Sequence, residues 1–137
     1  MIIGIEGIVC AGKSTLITEL RKTQSFAVVE EYGFFTNGHH NFPSFPPNDV
    51  DDIIKAAQYF IGIEKMRYEC LNSLVATAVH KHIVVDRIYQ SCLSFDYAVS
   101  NFMNFDAMSH ATMCWNDSLK IEPDITIILD IDQQTLL

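Results

Sequence analysis

The chain has 137 residues, of which 49% are hydrophobic and 19% are charged, and its formal net charge is −8 at pH 7. This length suits one domain with a single core, and the composition excludes an intrinsically disordered chain. The negative charge argues against a nucleic-acid polymer as partner, because such binding needs clustered Lys and Arg side chains.

The cysteines and the apolar runs bear on location. Cys10, Cys70, Cys92 and Cys114 form no C-x-x-C pair, which predicts reduced thiols. The N-terminus lacks the basic region of a signal peptide, and no apolar run approaches the roughly 20 residues of a membrane span. We therefore expect a cytoplasmic protein that does not enter a membrane.

The first predicted element is a short strand, Ile2–Ile5, followed by Gly-Ile-Val-Cys-Ala-Gly-Lys-Ser over residues 7–14, a complete match to G-x-x-x-x-G-K-[ST]. The two glycines of this motif let the backbone wrap phosphate oxygens, so that successive N–H groups point inward. Lys13 supplies a positive charge to the β- and γ-phosphates, and the Ser14 hydroxyl can ligate Mg²⁺. The helix predicted over 14–22 adds its N-terminal dipole.

The rest of the chain alternates short apolar runs with longer helical segments, which is typical of a parallel α/β sheet in one domain over residues 1–137. Three prolines exclude a helix from the loop after strand two, and Asp49 is a good N-cap. In chain order the sequence predicts strand two over 26–30, a loop over 32–48, a helix from Asp49 to about His80, strand three over 82–86, helices from about Gln90 to Phe102 and from about Asp106 to Leu119, strand four over 124–130, and a further helix beginning at Asp132.

Strand three ends in Asp86-Arg87. A carboxylate at such a strand end commonly holds Mg²⁺ or its waters in a phosphate-binding fold. The planar guanidinium of an adjacent Arg binds phosphate oxygens in a bidentate manner. A surface Asp-Arg pair is the alternative, and Asp130 is a weaker competing strand-end carboxylate.

Strand two ends in Glu30-Glu31. Carboxylates at the carboxyl end of a parallel strand face the ligand crevice, and one of them could orient or deprotonate a substrate hydroxyl. Solvated loop acids are the alternative. His39 and His40 lie in the loop, and His80, His82 and His110 lack metal-ligand spacing, so we expect exposed or structural histidines rather than a metal site.

The long helix carries a polar face. Gln58, Gly62 and Lys65 share one side at offsets of four and seven, whereas Arg67 points nearly opposite. The amide of Gln58, the gap at Gly62 and the cation of Lys65 on one face could bind a nucleobase and its sugar. An ordinary solvent-facing stripe is an equally good interpretation.

Together these segments resemble the thymidylate kinase and deoxynucleoside kinase superfamily. Residues 5–16 resemble the start of both branches, and residues 123–131 are similar to the fourth strand of thymidylate kinases. Asp86-Arg87-Ile-Tyr-Gln-Ser91 resembles the Asp-Arg-Tyr-x-x-Ser motif of thymidylate kinases and the Glu-Arg-Ser motif of deoxynucleoside kinases. The segment 58–67 is closer to deoxynucleoside kinases, in which a Gln reads the base.

The resemblance implies an α/β P-loop NTPase fold with a parallel sheet in the order 2-3-1-4. It implies ATP and Mg²⁺ as cofactors, with Ser14 and Asp86 serving the metal. Lys13, Arg87 and Glu31 take the catalytic roles. The remaining implied contacts are Gly7, Ile8, Val9, Cys10, Ala11, Gly12, Lys13, Ser14 and Thr15 for the ATP phosphates and Glu31, Gln58, Phe60, Lys65 and Arg87 for the acceptor.

The leading hypothesis is therefore transfer of the ATP γ-phosphoryl group to a deoxynucleoside monophosphate. The alternatives are a deoxynucleoside kinase that phosphorylates the sugar 5′-hydroxyl and a catalytically silent nucleotide-binding module or truncated fragment. The expected partner is a small-molecule nucleoside or nucleotide, and the resemblance allows a homodimer. Two departures stand out: Glu31-Tyr-Gly lacks the Pro of the family's acid-Pro motif, and family members continue into an arginine-bearing lid and a fifth strand, so the domain is expected to be incomplete at its C-terminus.

Overall fold

The structure, a computed structural model, describes residues 1–131. Short runs of β-branched residues form strands, and longer segments with apolar residues three to four apart form helices. The strands are β1 (Ile2–Gly7), β2 (Phe26–Val29), β3 (His82–Asp86) and β4 (Ile125–Leu129), and the α-helices are α1 (Lys13–Arg21), α2 (Val50–Thr77), α3 (Gln90–Phe102) and α4 (Ala107–Asn116).

The four strands form one sheet in the order β2-β3-β1-β4, and every pairing in it is parallel. The predicted fold class and strand order are therefore confirmed. Ile5 of β1 pairs with Asp86 of β3, so the ends of these two central strands lie side by side. In open parallel sheets this carboxyl edge is where ligands bind.

Alternation along β3 directs its side chains to two separate cores. Val84 packs with Ile5 and with Ile17 of α1 on one face. Ile83 and Val85 face the other side, where the core includes Leu71 of α2. Because successive strand residues point to opposite faces, α1 and α2 cover opposite sides of the sheet.

Several element ends differ from the sequence-based expectations. Helix α2 begins as predicted, since the Asp49 carboxylate accepts a hydrogen bond from the Asp52 N–H at 2.9 Å. It ends at Thr77 rather than near His80, because Ala78 adopts a left-handed conformation with φ of 49°. Among residues 1–131, no helix has both the length and the apolar composition to cross a membrane.

The loop between β2 and α2 is more ordered than the prolines suggested. It contains two short 3₁₀ helices, Tyr32–Thr36 and His39–Asn41. Both precede Pro43, so the exclusion of helical structure is wrong for the first part of the loop, where every residue has an N–H to donate. The further helix predicted from Asp132 lies outside the described residues.

Candidate active site

The phosphate loop joins β1 to α1 and depends on backbone conformations that favour glycine. Gly7 has φ of 143°, and a Cβ there would collide with the carbonyl oxygen of Leu129 on β4. Gly12 has φ of 86° and is the N-cap of α1. Both positions therefore need glycine, which gives the motif its observed shape.

Lys13 is the first residue of α1, and its side chain is buried rather than extended into solvent. Its Nζ donates hydrogen bonds to the carbonyl oxygens of Gly7 at 2.6 Å and Ile8 at 2.7 Å. Burial, followed by the positive charge of Arg87, lowers the pKa of Lys13. The ammonium group is thus held against the phosphate loop, within reach of an anion bound there.

Arg87 follows β3 and lies between two carboxylates. Its Nη1 is 4.0 Å from Oε2 of Glu6, and its Nε is 3.9 Å from Oε2 of Glu31. The same Nη1 donates a hydrogen bond to Oγ of Ser91 at 3.3 Å. The backbone of Arg87 has φ of 62°, a left-handed conformation that is unusual for a side chain of this size. Both ion pairs are long, so the guanidinium keeps donors for an incoming anion.

Glu6 fixes the beginning of α3 against the end of β1. Its Oε1 accepts a hydrogen bond from the N–H of Ile88 at 2.7 Å, and its Oε2 accepts one from Oγ of Ser91 at 2.6 Å. In the sequence Glu6 lies directly before the phosphate-loop motif, and no separate role was predicted for it. The structure makes it the residue that orients the segment carrying Arg87.

Arg67 of α2 is fully buried and hydrogen-bonded to the ends of two strands. Its Nε donates to the carbonyl oxygen of Glu30 at 2.9 Å, and its Nη2 donates to those of Asp86 at 2.8 Å and Arg87 at 2.6 Å. These bonds hold the turn that follows β3, including the left-handed Arg87. The prediction that Arg67 points away from Gln58 is consistent with this inward orientation.

The charge of Arg67 is balanced by Glu64, whose side chain is also fully buried. Nη1 of Arg67 donates to Oε2 of Glu64 at 2.7 Å, and Oε1 of Glu64 accepts from the N–H of Ile121 at 2.9 Å. The guanidinium carbon lies 4.2 Å from the centre of the Tyr32 ring. Each oxygen of this buried carboxylate is therefore satisfied.

Asp86 and Ser14 line one cavity of about 380 Å³ beside the phosphate loop, together with Glu30 and Glu31. Burial, followed by the negative charge of Glu31, raises the pKa of Asp86, and Arg87 and Lys13 oppose that shift. A hydroxyl and a carboxylate are the oxygen donors that Mg²⁺ uses when substrate phosphates complete its shell. The donor set therefore fits the metal implied by the resemblance.

A larger cavity of about 540 Å³ opens next to Arg87 and Glu31. Its walls come from the loop over 32–48 and from α2 and α3. Edge-to-face or tilted ring contacts brace these walls, with centroids 5.0 Å apart for Phe42 and Phe60 and 4.6 Å apart for Phe45 and Phe95. Such a cavity suits a flat aromatic ligand.

Tyr32, Cys92 and Asp96 are among the polar groups that face this largely apolar cavity. Burial raises the pKa of Cys92 to about 12, so its thiol stays protonated at neutral pH. Burial alone raises the pKa of Asp96 to about 6. The Tyr32 hydroxyl is buried and has no hydrogen-bond partner among residues 1–131.

The structure brings most of the predicted site residues together. Ser14, Glu31, Asp86, Arg87 and Phe60 line one or both cavities, and Lys13 lies at the phosphate loop between its flanking carbonyls. Of the residues predicted for the phosphate loop, Val9 also borders the larger cavity.

The acceptor contacts predicted for Gln58 and Lys65 must be corrected, because neither residue lines the larger cavity. Both side chains are exposed, and neither lines the cavity that Phe60 borders. At about 100° per residue, Gln58 and Lys65 lie about 200° and 140° around α2 from Phe60, so one helix face cannot present all three. The alternative interpretation, an ordinary solvent-facing stripe, therefore applies to Gln58, Gly62 and Lys65, all of which are exposed.

His39 and Asp96 also lie at the site, and neither was predicted from the sequence. His39 places its Nε2 3.0 Å from Oε1 of Glu31 and borders both cavities. No local pattern indicated this contact. Asp96 did carry a signal, because Cys92, Asp96 and Val99 follow a spacing of four and three on α3, and Val99 is a core residue. A charged residue on the apolar face of a helix indicates a special environment.

The chain is similar to curated and solved kinases. It is 32% identical to a thymidylate kinase of Nautilia profundicola over an alignment of 139 residues, which covers 99% of this chain and 66% of the relative. The chain therefore spans about two thirds of that relative's length. No family model matches it.

The fold also matches solved structures. The thymidylate kinase of Ehrlichia chaffeensis has a TM-score of 0.64 at 19% identity, covering 98% of this chain and 78% of that one. The deoxyadenosine kinase of M. mycoides, solved with dCMP and dCDP, has a TM-score of 0.63 at 21% identity, covering 98% of this chain and 67% of that one. At these identities the likeness establishes the fold.

Proposed function

The chain belongs to the thymidylate kinase and deoxynucleoside kinase superfamily of P-loop kinases, and on that premise we propose that it transfers the γ-phosphoryl group of ATP to a deoxynucleoside monophosphate. The observation that carries the proposal is the position of Arg87, which borders an aromatic cavity that also reaches Val9 of the phosphate loop. Donor and acceptor groups can therefore meet beside Arg87.

In this proposal the phosphate loop binds ATP. The loop N–H groups and the N-terminus of α1 surround the phosphates, and Nζ of Lys13 exchanges its two carbonyl contacts for phosphate oxygens. Ser14 and Asp86 would hold Mg²⁺, which when bound neutralises charge on the donor phosphates.

The acceptor phosphate lies against Arg87. One of its oxygens forms the new bond to the γ-phosphorus, while the bond from that phosphorus to the bridging oxygen breaks and ADP leaves. Arg87 binds the acceptor and stabilises charge on the transferring group through its planar fork. Its long ion pairs with Glu6 and Glu31 leave those donors available.

One observation favours the second candidate, a deoxynucleoside kinase. Glu31 borders both cavities, with Oε2 3.9 Å from Nε of Arg87 and Oε1 3.0 Å from Nε2 of His39. A carboxylate in this position could accept the proton of a sugar 5′-hydroxyl. A phosphate acceptor needs no such base.

Assaying transfer from ATP to each deoxynucleoside and to its monophosphate separates the candidates. We expect turnover with a monophosphate that is largely retained in Glu31→Gln, whereas a hydroxyl acceptor would lose roughly 10²-fold or more. A Glu19→Gln variant, changed on the exposed side of α1, is the matched control. ATP binding without transfer to any acceptor would reject both and favour a silent nucleotide-binding module.

The finer expectations from sequence remain part of this proposal. They are ATP as the donor, Mg²⁺ as the metal, a cytoplasmic location and a homodimer.

A further inference from the structure

His39 is a residue of the loop between β2 and α2 that the proposed transfer does not use. Its Nε2 is 3.0 Å from Oε1 of Glu31, and both residues border the phosphate-side cavity and the larger cavity. The pair therefore lies where the two cavities meet, beside the position that the proposed function gives to the acceptor phosphate.

The Glu31 carboxylate is shared between two basic side chains. Its Oε1 contacts His39, whereas its Oε2 is 3.9 Å from Nε of Arg87. Among residues 1–131 no other basic group lies within ion-pair distance of this carboxylate. His39 is consequently the nearer of the two groups that determine where the carboxylate points.

The other carboxylate beside Arg87 is held in place independently. Both oxygens of Glu6 accept hydrogen bonds, at 2.7 Å and 2.6 Å, from groups around the beginning of α3, and Glu6 stays 4.0 Å from Nη1 of Arg87. Glu31 has no such bonds within residues 1–131, so without His39 its carboxylate is free to close on the guanidinium. An ion pair closed in this way would occupy donors that an acceptor phosphate needs.

The loop itself brings the imidazole to this carboxylate. Gly33 makes room for it, because a Cβ at that position would lie 2.5 Å from Nε2 of His39. The ring of His39 packs against that of Phe42, with centroids 5.0 Å apart, and the N–H of Gly38 donates to the carbonyl oxygen of Gly33 at 2.8 Å. The position of the imidazole beside Glu31 is therefore part of the folded loop.

We propose that His39 is a positioning residue that holds the Glu31 carboxylate away from Arg87, so that the guanidinium remains available to the acceptor phosphate. This inference rests on the proposed function and adds a residue to its acceptor site. The carboxylate is attracted by the protonated imidazole, and an amide N–H in the same place can substitute for part of that attraction. His39 does not itself bind the phosphate in this arrangement.

The first test measures steady-state kinetics of the full chain with saturating ATP and with dTMP, dCMP, dAMP or dGMP as acceptor. We expect His39→Ala to raise the KM for the acceptor by roughly three- to fivefold, which is the effect of one partly exposed ion pair, and to change kcat by less than about twofold. His40→Ala, an exposed change that borders neither cavity, is the matched control and should leave both constants unchanged.

Two further variants distinguish positioning from a general effect on the loop. Gly33→Ala places a methyl group against Nε2 and should displace the imidazole, so that KM rises in the same direction as in His39→Ala. His39→Gln carries an N–H₂ donor near the position of Nε2 and should keep KM within about twofold of the unmodified chain.

The sharpest measurement removes the carboxylate as well. In Glu31→Gln no charge can close on Arg87, so adding His39→Ala to that variant should leave KM unchanged. If His39 bound the acceptor phosphate directly, the double variant would lose as much relative to Glu31→Gln as His39→Ala loses relative to the unmodified chain. That result would overturn the inference.

The remaining outcomes separate this inference from the proposed function. An unchanged KM in a folded His39→Ala protein that transfers normally overturns the inference and leaves the kinase proposal standing. Absence of transfer by the unmodified chain to any of the four monophosphates rejects the proposed function, and the inference with it.

Discussion

The two buried carboxylates of α2 and α3 occupy opposite kinds of environment. Glu64, at the ends of the strands, accepts hydrogen bonds from Arg67 and from the N–H of Ile121. Asp96, in the wall of the cavity, has no such donor within residues 1–131. The first carboxylate stabilises the fold, and the second is available to something outside it.

The same contrast extends to the regions around them. At the strand ends, Arg67, Glu6 and Lys13 all have protein partners at hydrogen-bond distance. In the cavity, the Tyr32 hydroxyl and the Asp96 carboxylate do not. Within residues 1–131, buried polar atoms without a partner also occur outside the cavity, at His82 Nδ1 and Trp115 Nε1, so the contrast applies to the two carboxylates and not to every polar group.

The largest expected effect is a loss of stability, and it comes from removing Arg67, the buried partner of Glu64. Arg67→Met should lower the free energy of unfolding by about 3–5 kcal/mol, because it leaves the Glu64 carboxylate buried and uncompensated. Urea denaturation measures this change, and Lys65→Met, an exposed change on the same helix, is the control.

Adding Glu64→Gln to Arg67→Met should recover part of the loss, since it neutralises the stranded carboxylate. A loss below about 1 kcal/mol in the single variant would contradict the view that this pair holds the strand ends.

The second effect concerns the donor side. Lys13→Ala should weaken ATP binding and reduce phosphoryl transfer by roughly 10²–10³-fold, because a positive charge at the donor phosphates is lost. Lys22→Ala, an exposed change at the end of the same helix, is the control. Wild-type ATP affinity in Lys13→Ala would refute the phosphate-loop assignment.

The third effect is a gain in stability instead of a loss, and it concerns Asp96 in the wall of the larger cavity. The folded pKa of Asp96, about 6, lies above its ordinary value of 3.8. Between these values the folded chain binds more protons than the unfolded chain, so this group makes stability fall as pH rises through that window. Asp96→Asn should therefore stabilise the protein by about 1–3 kcal/mol near neutral pH.

Below about pH 3 the Asp96→Asn advantage should vanish, because the native carboxyl group is then largely protonated in both the folded and the unfolded state. Urea unfolding at the two pH values, with Asp117→Asn as reference, measures the difference. An advantage of equal size at both pH values would mean that the charge of Asp96 is not the destabilising feature.

The smallest effect is expected at the surface. Arg21 pairs with Glu30, and their side chains are 47% and 27% exposed. Arg21→Ala should change stability by less than about 1 kcal/mol, since exposed ion pairs gain little and are screened by salt. A loss as large as that of Arg67→Met would remove the distinction between buried and exposed pairs.

The donor half of the site was accessible from sequence because its geometry is local. Gly7, Gly12 and Lys13 lie in one short segment, and their spacing encodes the turn and the helix start. Asp86 could be placed because an apolar run ending in a carboxylate marks the end of a strand. The roles of these residues in binding and transfer stay predictions, and Lys13→Ala tests the role of Lys13.

The acceptor half was less accessible because its residues come from separate segments. Gln58 and Lys65 suited a base-reading face by type and spacing, yet helix rotation places Phe60 at the cavity and those two in solvent. His39 and Glu31 meet through the path of a loop that carries no periodicity. Side-chain patterns on one helix do not reveal which face its neighbours cover.

The sequence by itself determined the order of elements, the parallel sheet and the phosphate loop, since periodicity, caps and glycine positions act over a few residues. Only the tertiary structure decided that Arg67 and Glu64 would be a buried framework pair and that Asp96 would face a cavity without a partner. The physical reason is that the environment of a charge depends on neighbours far away in the chain, such as Ile121 for Glu64 and the loop over 32–48 for Asp96.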